Sequence, residues 1–440
     1  MKWITGTIIA LILGTVLQLA FLVYAMYVLL GILILSHLLT HQWMGAIAVH
    51  RHPITNKAEI GESETLILDL SNESSLAIPW LIFEESFPRT AMEQSPPRIA
   101  LKGKGLGIIQ IGPNKAHRIE YTITFKQRGY YQLGPLLVET GDLFGLHRKF
   151  KILTDPQFVL VAPKIVPLQH YQIASKRPIG EIRITHRLFD DPTRIAAVRP
   201  YQAGDPLNQI HWRATARTGE LHSRIYENSC VAGATLLLDF HNFAYQGSGE
   251  TVASELAVTT AASLANALFE EGHQVGLVTN GRDAAERIKH EGWKGEFTTR
   301  ADAHQKTGET TQNERLNPIV VPTRKGADQI TTILETLGRL ESSDGLEFSE
   351  LIQESTHFLP RDATVIPILR DISPQAALAL GMLRQRGYAV TVVLIQFDEG
   401  YSPQWAKAPS WAEPIIAQGL EFITISNEEE LAALSTLALV

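Results

Sequence analysis

Apolar and polar positions follow three successive rhythms along this chain. From Trp3 to Leu39 there is no Asp, Glu, Lys or Arg, and such a run exceeds the roughly 20 residues one helix needs to cross the hydrocarbon of a bilayer. Gln18 interrupts it near the middle, so the pattern predicts two spans, Trp3–Gln18 and Phe21–Leu39, folded as a transmembrane helical hairpin over residues 1–44. A single tilted helix or a cleaved signal peptide is the alternative, but no small-x-small cleavage site follows a short apolar core. Lys2 and Arg51 flank the two spans, and the positive-inside bias then puts both flanks, and the soluble mass, in the cytoplasm.

The second rhythm has period two. AIAVHRHPIT, ETLILDLSNES, HRIEYTITF and PLLVETGD are short stretches rich in β-branched residues, several of which alternate apolar with polar, and Pro96-Pro97, Gly112-Pro113 and Gly134-Pro135 punctuate them. Short strands with turns every ten or so residues predict an immunoglobulin-like β-sandwich over 45–155. Residues 156–233 break the rhythm and are expected to be a linker followed by a polar segment, with LHSRIYE a strand that joins the sheet beside ATLLLDF. From 234 to 440, continuous apolar runs (ATLLLDF, QVGLVTNG, TVIPILR, AVTVVLIQF, EFITIS) alternate with helical stretches such as 250–271 and 374–386. That alternation predicts an α/β domain with a doubly wound, mainly parallel sheet. Gly281 to Gly326 is polar, holds short segments around Arg287–Ile288 and Ile319–Val321, and reads as an irregular insertion.

Composition narrows the function classes. A net charge of −7 over 440 residues gives no global positive field for nucleic acid. One cysteine, Cys230, excludes an internal disulfide and a cysteine-built zinc site. His37 and His41 have the spacing of a two-histidine clamp, but no acidic ligand lies nearby and they read as interfacial residues beside Trp43. No P-loop, no G-x-S-x-G elbow and no H-E-x-x-H is present.

The densest chemistry lies in VRPYQAGDPLNQIHWRATARTGELHSRIYE, residues 198–227, with Arg199, Tyr201, Gly204, Asp205, His211, Trp212, Arg213 and Arg217. Its spacing, R-x-Y-x-x-G-D-x-x-x-x-I-H-W-R-x-x-A-R, resembles the signature of the bacterial membrane-anchored family known only as domain of unknown function 58. A second stretch, Arg128-Gly129-Tyr130 with Gly134-Pro135 and then Asp142-Leu143-Phe144-Gly145-Leu146, resembles the same family's segment ahead of the signature. The resemblance implies an inner-membrane protein with a von Willebrand factor A-like C-terminal domain, often accompanied by a MoxR-type AAA+ ATPase. The expectation is a non-enzymatic, protein-binding adaptor in envelope-related assembly or maturation.

The signature itself is expected to be a structural clamp. Ile210–Thr218 would form a short helix, Trp212 and Tyr201 would pack under the sheet, and Arg199, Arg213 and Arg217 would pair with Asp205 and its neighbours. The enzyme alternative makes His211 a base oriented by Asp205, with arginines holding an anionic substrate. Asp239 and Asp371 close two strands, where von Willebrand factor A-like domains hold a divalent cation. The hydroxyl ligands of that family's Asp-x-Ser-x-Ser loop are His241 and Phe243 here, so Mg²⁺ would have a degraded site, and no cofactor is firmly implied. Otherwise the two aspartates cap helices or pair with bases such as Arg370.

Overall fold

The computed structural model describes residues 2–143, 145, 147–168, 190–202, 210–228, 233–245, 250–291, 316–360, 363–396 and 412–435. Gly204, Asp205, Phe144 and Leu146 lie outside these. The chain forms two compact units. The first joins Met1–Lys164 to Gly281–Leu316 and Leu334–Ser342, and the second holds Ile165–Asn280, Asn317–Ile333 and Ser343–Val440. The predicted domain from 234 onward is thus divided: two of its segments belong to the unit built around the sandwich.

In the first unit, helices Lys2–Val16 and Ala20–Gly45 pack on each other, with Gln18 at the turn between them in the left-handed region, φ 58°. Ala20–Gly45 is long and apolar enough to cross a membrane; Thr5–Val16 is apolar but shorter. The helix Glu250–Glu270 is also long enough, but most of it is buried among the strands of the second unit, the position of a core helix.

The second helix does not stop at the end of the apolar run. Ser36, Thr40, Trp43 and Met44 repeat at helical spacing and are buried, and Trp43 and Met44 enter the sandwich core beside Ile47, Leu66 and Leu81. Two four-stranded antiparallel sheets enclose that core. One runs in the order Ile47–Arg51, Ser63–Asn72, Ala116–Phe125, Ile99–Gly103; the other runs Arg148–Ile152, Leu136–Gly141, Ile78–Glu85, Leu106–Ile111. Leu66, Leu68 and Leu70 alternate inward as the period-two pattern requires. Gln157–Val161 pairs with Gly129–Leu133, so the strands continue past residue 155.

A buried ion pair sits inside this sandwich. Arg51 Nη2 contacts Glu85 Oε1, both side chains nearly inaccessible, and the guanidinium also donates to Thr154 Oγ1 at 3.1 Å and Leu133 O at 3.2 Å. Burial outweighs the guanidinium and pushes the Glu85 carboxyl above its ordinary range. Gly134, at φ +88°, makes room for the pair: a Cβ there would meet both Arg51 and Glu85. Arg128 is buried as well. Its guanidinium donates 2.8 Å bonds to the carbonyls of Leu337 and Leu340, binding the 334–342 segment to this unit.

The second unit is built on a six-stranded sheet ordered Ile319–Arg324, Gln274–Thr279, Gly233–Leu238, Ala363–Leu369, Ala389–Ile395, Glu421–Ile425. Neighbours are parallel except the first pair. The short segment read at Ile319–Val321 belongs to the antiparallel edge strand Ile319–Arg324, while the one at Arg287–Ile288 lies in the helix Ala284–Glu291 of the first unit. The two central strands are buried on both faces, as their unbroken apolar runs demand.

Candidate functional site

Counted in chain order, the strands of this sheet run 3-2-1-4-5-6. The order reverses between Gly233–Leu238 and Ala363–Leu369, and in open α/β sheets ligands bind beyond the carboxyl ends at such a reversal. Asp239 follows the first of these strands and Arg370 and Asp371 follow the other.

Asp239 is buried. Its Oδ1 accepts from Asn280 Nδ2 at 2.8 Å and from the His241 N–H at 3.2 Å, and its carbonyl accepts from the Tyr245 hydroxyl at 2.9 Å. No lysine or arginine pairs with it among the described residues. Burial, with Glu347 adding repulsion, pushes its carboxyl above the ordinary aspartate range despite the bonds from Asn280 and His241. The sign of the pH effect follows. A raised pKa means the folded chain holds more protons than the unfolded one between the ordinary and the raised value, so this group's contribution to stability falls as pH rises through that window. Asp239→Asn keeps the acceptor and removes the charge. It should stabilise the second unit by about 1 to 3 kcal/mol at neutral pH, with the gain vanishing below the ordinary aspartate range; denaturant midpoints across pH read this.

Asn280 is the residue that sequence reasoning missed. It follows the strand Gln274–Thr279, donates also to Leu346 O at 3.0 Å, and accepts from the Phe240 N–H at 2.6 Å. Its signal was visible as the first polar side chain after QVGLVT, another carboxyl strand end. Ser343 also comes to this place: it bridges His241, and its carbonyl accepts from the Asn242 N–H at 2.8 Å. His241 is buried, with Nδ1 accepting from the Phe243 N–H at 3.3 Å, while Phe243 is exposed.

The two aspartates proposed as metal ligands have unlike surroundings. Asp371 is exposed and its Oδ1 accepts from the Ile372 N–H at 2.8 Å. Neither aspartate caps a helix as expected: Ser373 caps Pro374–Gln385, and Arg370 donates to the Tyr245 carbonyl at 3.1 Å instead of to a carboxylate. Among the described residues no group of three or more His, Cys, Asp or Glu is placed to hold a metal ion.

The signature segment forms its own ribbon. Asp190–Pro200 pairs antiparallel with His222–Asn228, so LHSRIYE joins this two-stranded sheet and not the strand Gly233–Leu238. Between the two strands lies the helix Trp212–Thr218. His211 is its N-cap: the backbone N–H donates to His222 O at 2.8 Å, and Nδ1 accepts from the Ala214 N–H at 3.0 Å. An accepting Nδ1 in a neutral ring leaves the proton on Nε2. Gly219, at φ 80°, stops the helix as a left-handed C-cap.

No residue of this helix is buried. Trp212 is 64% exposed, so it does not pack under the sheet, and Arg213 and Arg217 are exposed beside it. Tyr201 and Arg199 are half-buried, with the Tyr201 N–H donating to Leu221 O at 2.8 Å and Arg199 Nη1 to Pro200 O at 3.3 Å. The expected pairing with Asp205 falls outside the described residues.

Residues 197–299 match the family described as Protein of unknown function DUF58, a stretch that contains the ribbon from Ala197 on, Asp239, His241 and Asn280. Over 167 residues the chain is 25% identical to the uncharacterized protein YeaD of Bacillus subtilis (strain 168). The match spans 38% of this chain and 39% of that relative. Among solved structures, the CARDB domain of PF1109 from Pyrococcus furiosus aligns with 26% of this chain and 94% of its own, at 11% identity and a TM-score of 0.17. Trypsin-activated alpha-2-macroglobulin from Escherichia coli aligns with 30% of this chain and 9% of its own, at 10% identity and a TM-score of 0.20. At those scores neither bears on fold or function.

Proposed function

We propose that this chain is a membrane-anchored, protein-binding adaptor, with a hairpin of its two N-terminal helices in the inner membrane and an immunoglobulin-like sandwich above it. The second unit, read as von Willebrand factor A-like, is the binding module, and a MoxR-type AAA+ ATPase is the partner in envelope assembly or maturation. The observation that carries the reading is the helix Trp212–Thr218, which leaves a tryptophan and two arginines, Arg213 and Arg217, in solvent on a short, capped element. Exposed Trp and Arg are the residue types that dominate protein interfaces. The mainly parallel sheet, with Asp239 and Asp371 closing its two central strands, supports the von Willebrand factor A-like reading. Lys2 and Arg51 support a cytoplasmic face.

Full-length protein in detergent, titrated with a purified MoxR-type ATPase, tests this. Trp212→Ala should weaken binding by 2 kcal/mol or more, roughly 30-fold, and Arg213→Glu with Arg217→Glu should abolish it. Binding that survives all three changes would remove the helix as the contact; no binding by the unaltered chain would remove this partner. A second reading, divalent-cation-dependent ligand binding, is favoured by the buried Asp239 carboxylate at the sheet reversal. Calorimetry with Mg²⁺ should then give heat that Asp239→Ala eliminates, and a flat titration of the unaltered chain would end it.

A further inference from the structure

We propose that the turn carrying Leu143, together with Arg148 and Lys149 at the start of the next strand, forms a second membrane contact that docks on anionic phospholipid beside the N-terminal helices. The proposal rests on the reading of those helices as a membrane anchor and adds a surface of the sandwich to it.

Where the anchor leaves the bilayer is set by its own composition. From Ala20 to Leu35 the second helix carries no charged residue, and Ser36 and His37 open a more polar stretch. Sixteen residues of helix rise about 24 Å, about one turn short of the roughly 30 Å of hydrocarbon, so Ser36 and His37 fall within about a turn of the bilayer edge. The sandwich meets the helix at that level. Ser36 is buried, with Oγ 3.0 Å from His147 Nδ1, and the His37 ring stands edge-on to that of His147 at 5.4 Å.

His147 closes the turn that displays Leu143. Its N–H donates to Asp142 Oδ1 at 2.9 Å, the Asp142 N–H donates to His147 O at 3.1 Å, and Trp80 Nε1 donates to Asp142 O at 3.2 Å. Asp142 is buried by these bonds, yet Leu143 beside it is 74% exposed. A leucine held out in water by a hydrogen-bonded turn, next to the exit of an apolar helix, has the lipid interface within reach.

Charge points the same way. Arg148 is exposed, its guanidinium 3.6 Å from Glu139, and Lys149 follows it on Arg148–Ile152, an edge strand of its sheet that also packs on the second helix. Basic groups within a Debye length of an anionic leaflet are drawn to it. Each contact is weak alone, and the anchor supplies the effective concentration that makes them count.

The test uses the full chain with its single cysteine removed (Cys230→Ser) and an environment-sensitive fluorophore placed in turn at Leu143→Cys, Val28→Cys and Lys102→Cys. The protein is reconstituted in phosphatidylglycerol–phosphatidylcholine vesicles carrying doxyl-labelled lipid. The proposal expects blue-shifted, quenched emission at positions 28 and 143 and unquenched emission at 102. Quenching at 28 with position 143 behaving like 102 overturns it while leaving the anchor intact. No quenching at 28 removes the anchor and this proposal with it. Arg148→Glu with Lys149→Glu, or vesicles of phosphatidylcholine alone, should lower the quenching at 143; unchanged quenching under both would overturn the anionic-lipid contact.

Discussion

Replacing Arg51 by alanine should destabilise the sandwich by about 3 to 5 kcal/mol, because it leaves the Glu85 carboxylate buried with no counter-charge. Burial already raises the Glu85 carboxyl with Arg51 in place, and without the guanidinium the shift grows. The penalty should therefore shrink as pH falls from the raised folded value toward the ordinary glutamate range, where both states bind the proton. Arg51→Met with Glu85→Leu removes both charges and should recover most of the loss. Hydrogen exchange of the Ser63–Asn72 amides reads both variants against the unaltered chain in the unit concerned. If Arg51→Ala left that exchange unchanged at neutral pH, the pair would have no structural role.

The second large effect is expected at Asn280. Its amide serves Asp239, the Phe240 N–H and the Leu346 carbonyl at once. Asn280→Ala strips a partner from a buried N–H and from a buried carboxylate, at about 2 to 4 kcal/mol together. Asn280→Asp instead sets a second carboxyl against Asp239, and like charges so close keep one of them protonated. That variant should be weak at neutral pH and regain stability in acid, whereas the alanine variant should regain less. Exchange at Gly233–Leu238 distinguishes them, and identical pH profiles would show that Asn280 does not face the aspartate as described.

Much of this architecture could be read from the residues. Ser63–Asn72 and Ala116–Phe125 alternate because one face of each is core, and Gly233–Leu238 and Ala363–Leu369 are apolar throughout because both faces are covered. Asp239 was legible as the end of a buried strand. Other features depend on contacts distant in sequence. Asn280 acquires its role only when two parallel strands bring it beside Asp239. His222–Asn228 carries no mark of its partner, and pairing with Asp190–Pro200 was as compatible with its pattern as pairing with the central sheet. Trp212 was expected inside because tryptophan is mostly apolar area; nothing local revealed that its helix would be left in solvent. The edge strand Ile319–Arg324 showed in the sequence only as the short segment Ile319–Val321, because polar residues surround it, as they commonly do at a sheet edge.

The burial of Trp43 and Met44 bears on how this protein is handled at the bench. A truncation designed to shed the greasy N-terminus would naturally be cut at residue 45, where the first strand is about to begin, and that cut would take two large side chains out of the interior it was meant to preserve. A start ahead of Ser36 retains them, at the cost of nearly three turns of helix. The last ten residues of the second helix are, in folding terms, the opening element of the sandwich.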